Sequence, residues 1–147
     1  MIKLILIIAL GIFYVGFMQP QNGQPAATTP AIATAGPADQ IIADAFDRRQ
    51  SNIQVQGQGT VIKVLKDDRE GLQHQRFILR LANGRSLLVA HNTDLAGRIA
   101  NLKAGDTVEF YGEYEWNPKG GVLHWTHHDP HHHHINGWLK HNGNTYQ

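Results

Sequence analysis

The chain contains no cysteine. That absence excludes a disulfide framework, a thiolate zinc site, a cysteine nucleophile and an acylated lipoprotein cysteine, so any metal site must use His, Asp or Glu. Charge of one sign is also missing. Thirteen Lys and Arg nearly cancel twelve Asp and Glu over 147 residues, leaving a formal charge of +1. Bulk nucleic-acid binding through a global cationic field therefore has no basis. No phosphate-binding glycine loop, HExxH string or nucleophile elbow occurs, which removes the kinase, zincin and serine-hydrolase classes. The length gives room for one ordinary domain. What the chain does have in excess is histidine, ten residues, so protonation near the ordinary imidazole pKa of about 6.5 is a variable of this protein.

Composition divides the chain into three parts. Residues 1–18 place Lys3 before an uninterrupted apolar run at 4–18, closed by Gln19 and Pro20. The run is an export signal or an N-terminal membrane anchor: it is long for a signal core and short of the roughly 20 residues of a comfortable span. No small-x-small cleavage site follows it directly, which favours the anchor. Residues 19–36 carry no charge, and prolines recur at Pro20, Pro25 and Pro30. This is an extended linker, reaching about 3.1 Å per residue in polyproline II. The expected location is the periplasm, or the inner membrane facing the periplasm, with the N-terminal segment as the membrane contact.

Residues 37–147 read as a mainly β domain. Pro37 at a helix start, Asp39 in its first turn and Ile41, Ile42, Ala45 and Phe46 at helical spacing predict an amphipathic helix to about Arg49. A long strand with Gly57 and Gly59 at bends follows, then a charged turn at Asp67, Asp68 and Glu70. Asn83-Gly84 between two apolar runs predicts a two-residue hairpin. In that register Arg80 faces Leu87, and Phe77, Leu79, Leu81, Leu88 and Ala90 form the core face. His74, Arg76, Arg80, Arg85 and His91 then share the opposite face. A short helix is expected at 95–100, a fourth strand at 107–116 and a last strand at 122–128. This order is that of a five-stranded OB-like Greek-key barrel with an N-terminal helix and a short helix between strands three and four.

Five strings in order, His74-Gln75-Arg76-Phe77, Ala90-His91-Asn92-Thr93-Asp94-Leu95, Gly112-Glu113-Tyr114-Glu115-Trp116-Asn117, His124-Trp125-Thr126-His127-His128-Asp129-Pro130 and Gly137-Trp138-Leu139-Lys140-His141, resemble a family of small exported bacterial proteins of unknown function. That resemblance implies a family and no activity. The barrel outline is also similar to staphylococcal-type nucleases, without the full set of their carboxylates and arginines.

Three surfaces are chemical candidates. Alternation along strand four sends Glu109, Glu113 and Glu115 outward, and Leu123 and Trp125 pointing inward would send His124 and His128 outward beside them. Glu113 then lies opposite His124 and Glu109 opposite His128, donors that suit zinc, nickel or copper or that form plain cross-strand ion pairs. Seven of the eleven residues at 124–134 are histidine, so this tract binds transition metal at some affinity by local imidazole concentration alone. The face of His74, Arg76, Arg80, Arg85 and His91 is a candidate for an anionic ligand, or a rim around aliphatics covered by the first helix. The expected function is a binding module for a small anionic ligand or transition metal. The alternative is a metal-dependent hydrolase, phosphodiesterase or nuclease-like, in which His124, His127, His128 and Asp129 hold the ion and Glu113 acts as base.

Overall fold

The computed structural model describes residues 36–147. The apolar run at 4–18 and nearly all of the expected linker lie outside the described residues, and among those described no helix is long and apolar enough to cross a membrane. Helix α1 spans Pro37–Asp47, with proline in its first turn. Ala38, Ile42 and Ala45 form its buried stripe, whereas Ile41, expected inward, is 44% exposed. The 3.6-residue period through 38, 42 and 45 turns position 41 away from the core. Phe46 meets Trp116, whose indole Nε1 donates to the Phe46 carbonyl at 3.1 Å.

Seven strands follow: β1 Ile53–Val64, β2 His74–Arg80, β3 Ser86–Asn92, β4 Thr107–Glu115, β5 Val122–His124, β6 Trp138–His141 and β7 Asn144–Tyr146. Their order is β1-β2-β3-β5-β4, and a β1–β4 pairing closes the ring. The result is a closed barrel of five strands. Strand β1 is long enough to serve twice. Its first part pairs with β4 from Ile53↔Tyr114 to Thr60↔Thr107, and from Thr60↔Arg80 to Val64↔Phe77 it pairs with β2, with a register shift between Val61 and Lys63. The only parallel contact in this ring joins β3 to β5, through Leu88↔Val122 and Val89↔Leu123. Phe77, Leu79, Leu87, Val89, Phe110, Tyr114 and Leu123 fill the interior, each fully buried.

The hairpin register differs from the expected one. Leu79 pairs with Leu87 and Ile78 with Leu88. Gly84 donates its N–H to the Leu81 carbonyl, and Leu81 donates to that of Arg85. Residues 82–84 thus form a three-residue loop ending in Gly84 at φ 83°, the type I turn with a left-handed glycine. The one-residue change reverses β3: Leu87, Val89 and His91 face inward, and Leu88 and Ala90 face out. Burying Leu87 and Val89 removes more apolar surface from water than burying Leu88 and Ala90 would, and that difference selects the register. The two-residue Asn-Gly hairpin occurs elsewhere. Asn142 and Gly143, both at positive φ, join β6 to β7 through His141↔Asn144.

No helix forms at 95–100; after a turn through Leu95 and a bend at Ala96 the segment is irregular. Its backbone is claimed by core side chains instead. The buried Gln75 amide donates to the Ile99 carbonyl at 3.0 Å and accepts the Ile99 N–H at 2.9 Å. The last barrel strand also ends early, at His124 rather than His128. Trp125 sits at φ 51°, a backbone region that a bulky side chain occupies only under constraint. The chain leaves the barrel there and returns as β6, which pairs with β4 through Phe110↔Leu139. Along one edge, β4 therefore exchanges β5 for β6, and the excursion at 125–137 is closed by the Gly137 N–H on the His127 carbonyl at 2.9 Å.

Candidate functional site

The outer face of β2, β3 and β5 is built from alternate residues of each strand. One row across it runs Ile78↔Leu88 and Leu88↔Val122, ending on Glu115 of β4. The neighbouring row carries Arg76↔Ala90, and on the far side His124↔Glu113. Two concavities lie along this face. One, of about 240 Å³, is lined by Leu65, Ile78, Leu88, Ser86, Asn117, Lys119 and Gly121. It lies between the β1–β2 and β4–β5 connections, and α1 does not cover it. The other, of about 160 Å³, is lined by Leu72, His74, Ala90, Asn92, Leu95, His124, Trp125 and His127. Arg76 stands on β2 between Ile78 of the first and His74 of the second, with its Nε and Nη2 donating to the Lys66 carbonyl at 3.2 and 3.0 Å.

Three imidazoles from different segments thus meet one pocket: His74 at the start of β2, His124 at the end of β5 and His127 in the excursion. Its rim is apolar, with Leu72 61% and Leu95 46% exposed. Burial lowers the His124 pKa; the Glu115 and Glu113 carboxylates pull the other way. Its Nε2 is buried 3.1 Å from a Glu115 oxygen, outside hydrogen-bond geometry. The strained Trp125 forms one wall, and its indole stacks on His134 with centroids 3.6 Å apart and planes at 13°. His134 in turn places Nδ1 3.4 Å from a Glu113 oxygen. Strained backbone of this kind persists only where surrounding contacts over-determine it.

The expected sets are redistributed. His91, read as part of the arginine face, is fully buried in the barrel because of the hairpin register. It lies 2.8 Å from Thr126 Oγ1 and 3.2 Å from the Gly97 carbonyl, and burial pushes its pKa down to about 4. Arg85 leaves that face too. It pairs with Asp47 of α1 at 2.9 Å and covers the Phe46 ring, while Arg80 is exposed at the end of β2. Of the expected metal set, Glu113 does face His124, but Glu109 faces Lys140 of β6 because β5 stops four residues before 128. His128 is exposed but no longer beside Glu109, and Thr126 between His124 and His128 is buried. Asp129 accepts the backbone N–H groups of His131 at 2.9 Å, His133 at 2.6 Å and His134 at 2.8 Å. Those bonds, the one from His131 foremost, lower its pKa to about 2. Among the described residues no three His, Asp or Glu side chains converge as a metal-holding group.

A family model described as a protein of unknown function, DUF3465, matches residues 26–147. The chain belongs to that family. No curated protein matches it. Two features of this DUF3465 domain escaped sequence reasoning: His74 shares a pocket with His124 and His127, and Trp125 is a strained pocket wall. The first had a partial signal, since alternation puts both His74 of β2 and His124 of β5 on the outer face, but it is the parallel β3–β5 pairing that brings those strands side by side. Trp125 had none, because its conformation follows from the strand exchange on β4.

Proposed function

We propose that the chain is an exported, tethered binding module, an OB-like barrel whose outer β2–β3–β5 face holds a small anion with an apolar body. The ring order and the parallel β3–β5 pair support the OB-like reading, and in such barrels the second and third strands commonly present the ligand surface. The observation that carries the reading is the alignment of two concavities on one sheet face with Arg76 between them. Leu65, Ile78 and Leu88 offer an apolar seat with Lys119 at its edge, and the next pocket offers three imidazoles. Together the two fall at the low end of the roughly 300–1,000 Å³ of small-ligand sites. Dispersal of Arg80 and Arg85 leaves Arg76 as the central cation. Two of its donors are spent on Lys66, which fixes the guanidinium so that the remaining donors meet a carboxylate or sulfonate at low entropic cost.

The test uses 8-anilinonaphthalene-1-sulfonate as probe, displaced by decanoate and by decanol. Saturable binding that decanoate reverses better than decanol, and that Leu88→Ser and Arg76→Gln each weaken while both variants remain folded at the assay temperature, supports the proposal. No saturable binding, or binding indifferent to both substitutions, refutes it.

A further inference from the structure

The histidine tract at 131–134 is a folded loop organised by one residue. The N–H groups of His131, His133 and His134 end on the Asp129 carboxylate, and that of His132 reaches the Asp129 carbonyl at 3.2 Å. Asp129 is itself held, its own N–H donating to Asn136 Oδ1 at 2.9 Å. Four successive backbone donors thus converge on one buried aspartate. With His134 stacked on Trp125, the remaining rings project outward: His131, His132 and His133 are exposed. The His131 and His133 rings stack loosely, centroids 5.9 Å apart and planes at 27°.

We propose that His131 and His133 form a surface chelate for a divalent first-row transition ion, Cu2+ foremost, with solvent completing the coordination. A metal–nitrogen bond of about 2.0–2.1 Å puts an imidazole centroid about 3.2 Å from the ion, so two rings on one ion lie about 4.5 Å apart when cis and about 6.4 Å when trans. The observed 5.9 Å falls inside that interval. Side-chain rotation alone therefore brings both rings to one ion, while the backbone stays on its aspartate clamp. Two imidazoles and open positions favour copper over zinc and nickel in the usual affinity order. Such a site needs no third protein ligand, and none converges there among the described residues.

The experiment titrates Cu2+ into the untagged full chain by calorimetry, with the electron paramagnetic resonance spectrum taken at one equivalent. The expected result is one tight equivalent showing coupling to two imidazole nitrogens. His133→Ser should weaken it roughly a hundredfold, because the second imidazole binds at high effective concentration. Asp129→Asn keeps both rings and should cost about tenfold, the usual effect of losing a supporting interaction. His124→Ser and His127→Ser, in the separate pocket, should leave it unchanged. Because Asp129→Asn alters the clamp that folds the loop, an N-acetylated peptide of residues 128–135 is titrated alongside. Cu2+ binding by the peptide as tight as by the folded chain overturns the proposal, as does undiminished binding by His133→Ser.

Discussion

The buried His91 makes stability depend on pH in a way that can be calculated and checked. Its Nε2 faces the Gly97 carbonyl, which only accepts, so the neutral ring carries its proton on Nε2 and Nδ1 accepts from the Thr126 hydroxyl. A second proton has to enter a fully buried ring, and burial holds the pKa at about 4. In the unfolded chain the same ring takes its proton near the ordinary value of about 6.5. Between these two values the unfolded state binds more protons, so stability rises with pH. The contribution is complete above about 6.5 and lost as pH falls to about 4. A pKa depressed from 6.5 to about 4 corresponds to about 3 kcal/mol. Urea unfolding of the wild type and of His91→Gln from pH 7.5 to pH 4 measures it as the difference in slope. Gln retains a donor and an acceptor but does not titrate, so the variant should lose this part of the pH dependence. Equal slopes for the two proteins, or an His91 ring resonance that titrates near 6.5, would refute the reasoning.

The hairpin register separates two adjacent leucines: Leu87→Ala should cost about 2–5 kcal/mol and Leu88→Ala less than about 1.5 kcal/mol by denaturant unfolding, and the reverse order would restore the two-residue turn. Gln75→Leu orphans both backbone groups of Ile99 and should destabilise by about 2 kcal/mol or more. It should also speed amide exchange across residues 95–101, and unchanged exchange there would show that the loop holds itself. Alkaline phosphatase fused after Pro37 should be active if residues 1–18 export the chain; an inactive fusion at normal expression removes the exported module.

Local signals read correctly wherever the physics is local. Proline and Asp39 at the start of α1, the alternation of β4 and the Glu113–His124 pairing all follow from short-range periodicity and turn length. The closed barrel follows from the number and spacing of strands. Asn83-Gly84 marked a turn correctly, yet its length was set by which β3 residues the core takes: the same dipeptide closes a two-residue loop at Asn142-Gly143. His91 and Gln75 carry nothing in their neighbourhoods to show that one would be buried against Thr126 and the other would bracket Ile99, because those partners come from distant segments.

By itself, the sequence determined the absence of thiol chemistry, the mainly β character, the outward glutamates of β4 and the presence of an imidazole-rich tract. Only the tertiary structure decided where those imidazoles went. A strand edge can hold one partner at a time, and β4 gives up β5 for β6 within a few residues. The histidine tract is forced out between them, Trp125 into strain and Asp129 under the loop. Which histidines face a pocket, the core or solvent is a consequence of that competition for backbone hydrogen bonds, which no local pattern encodes.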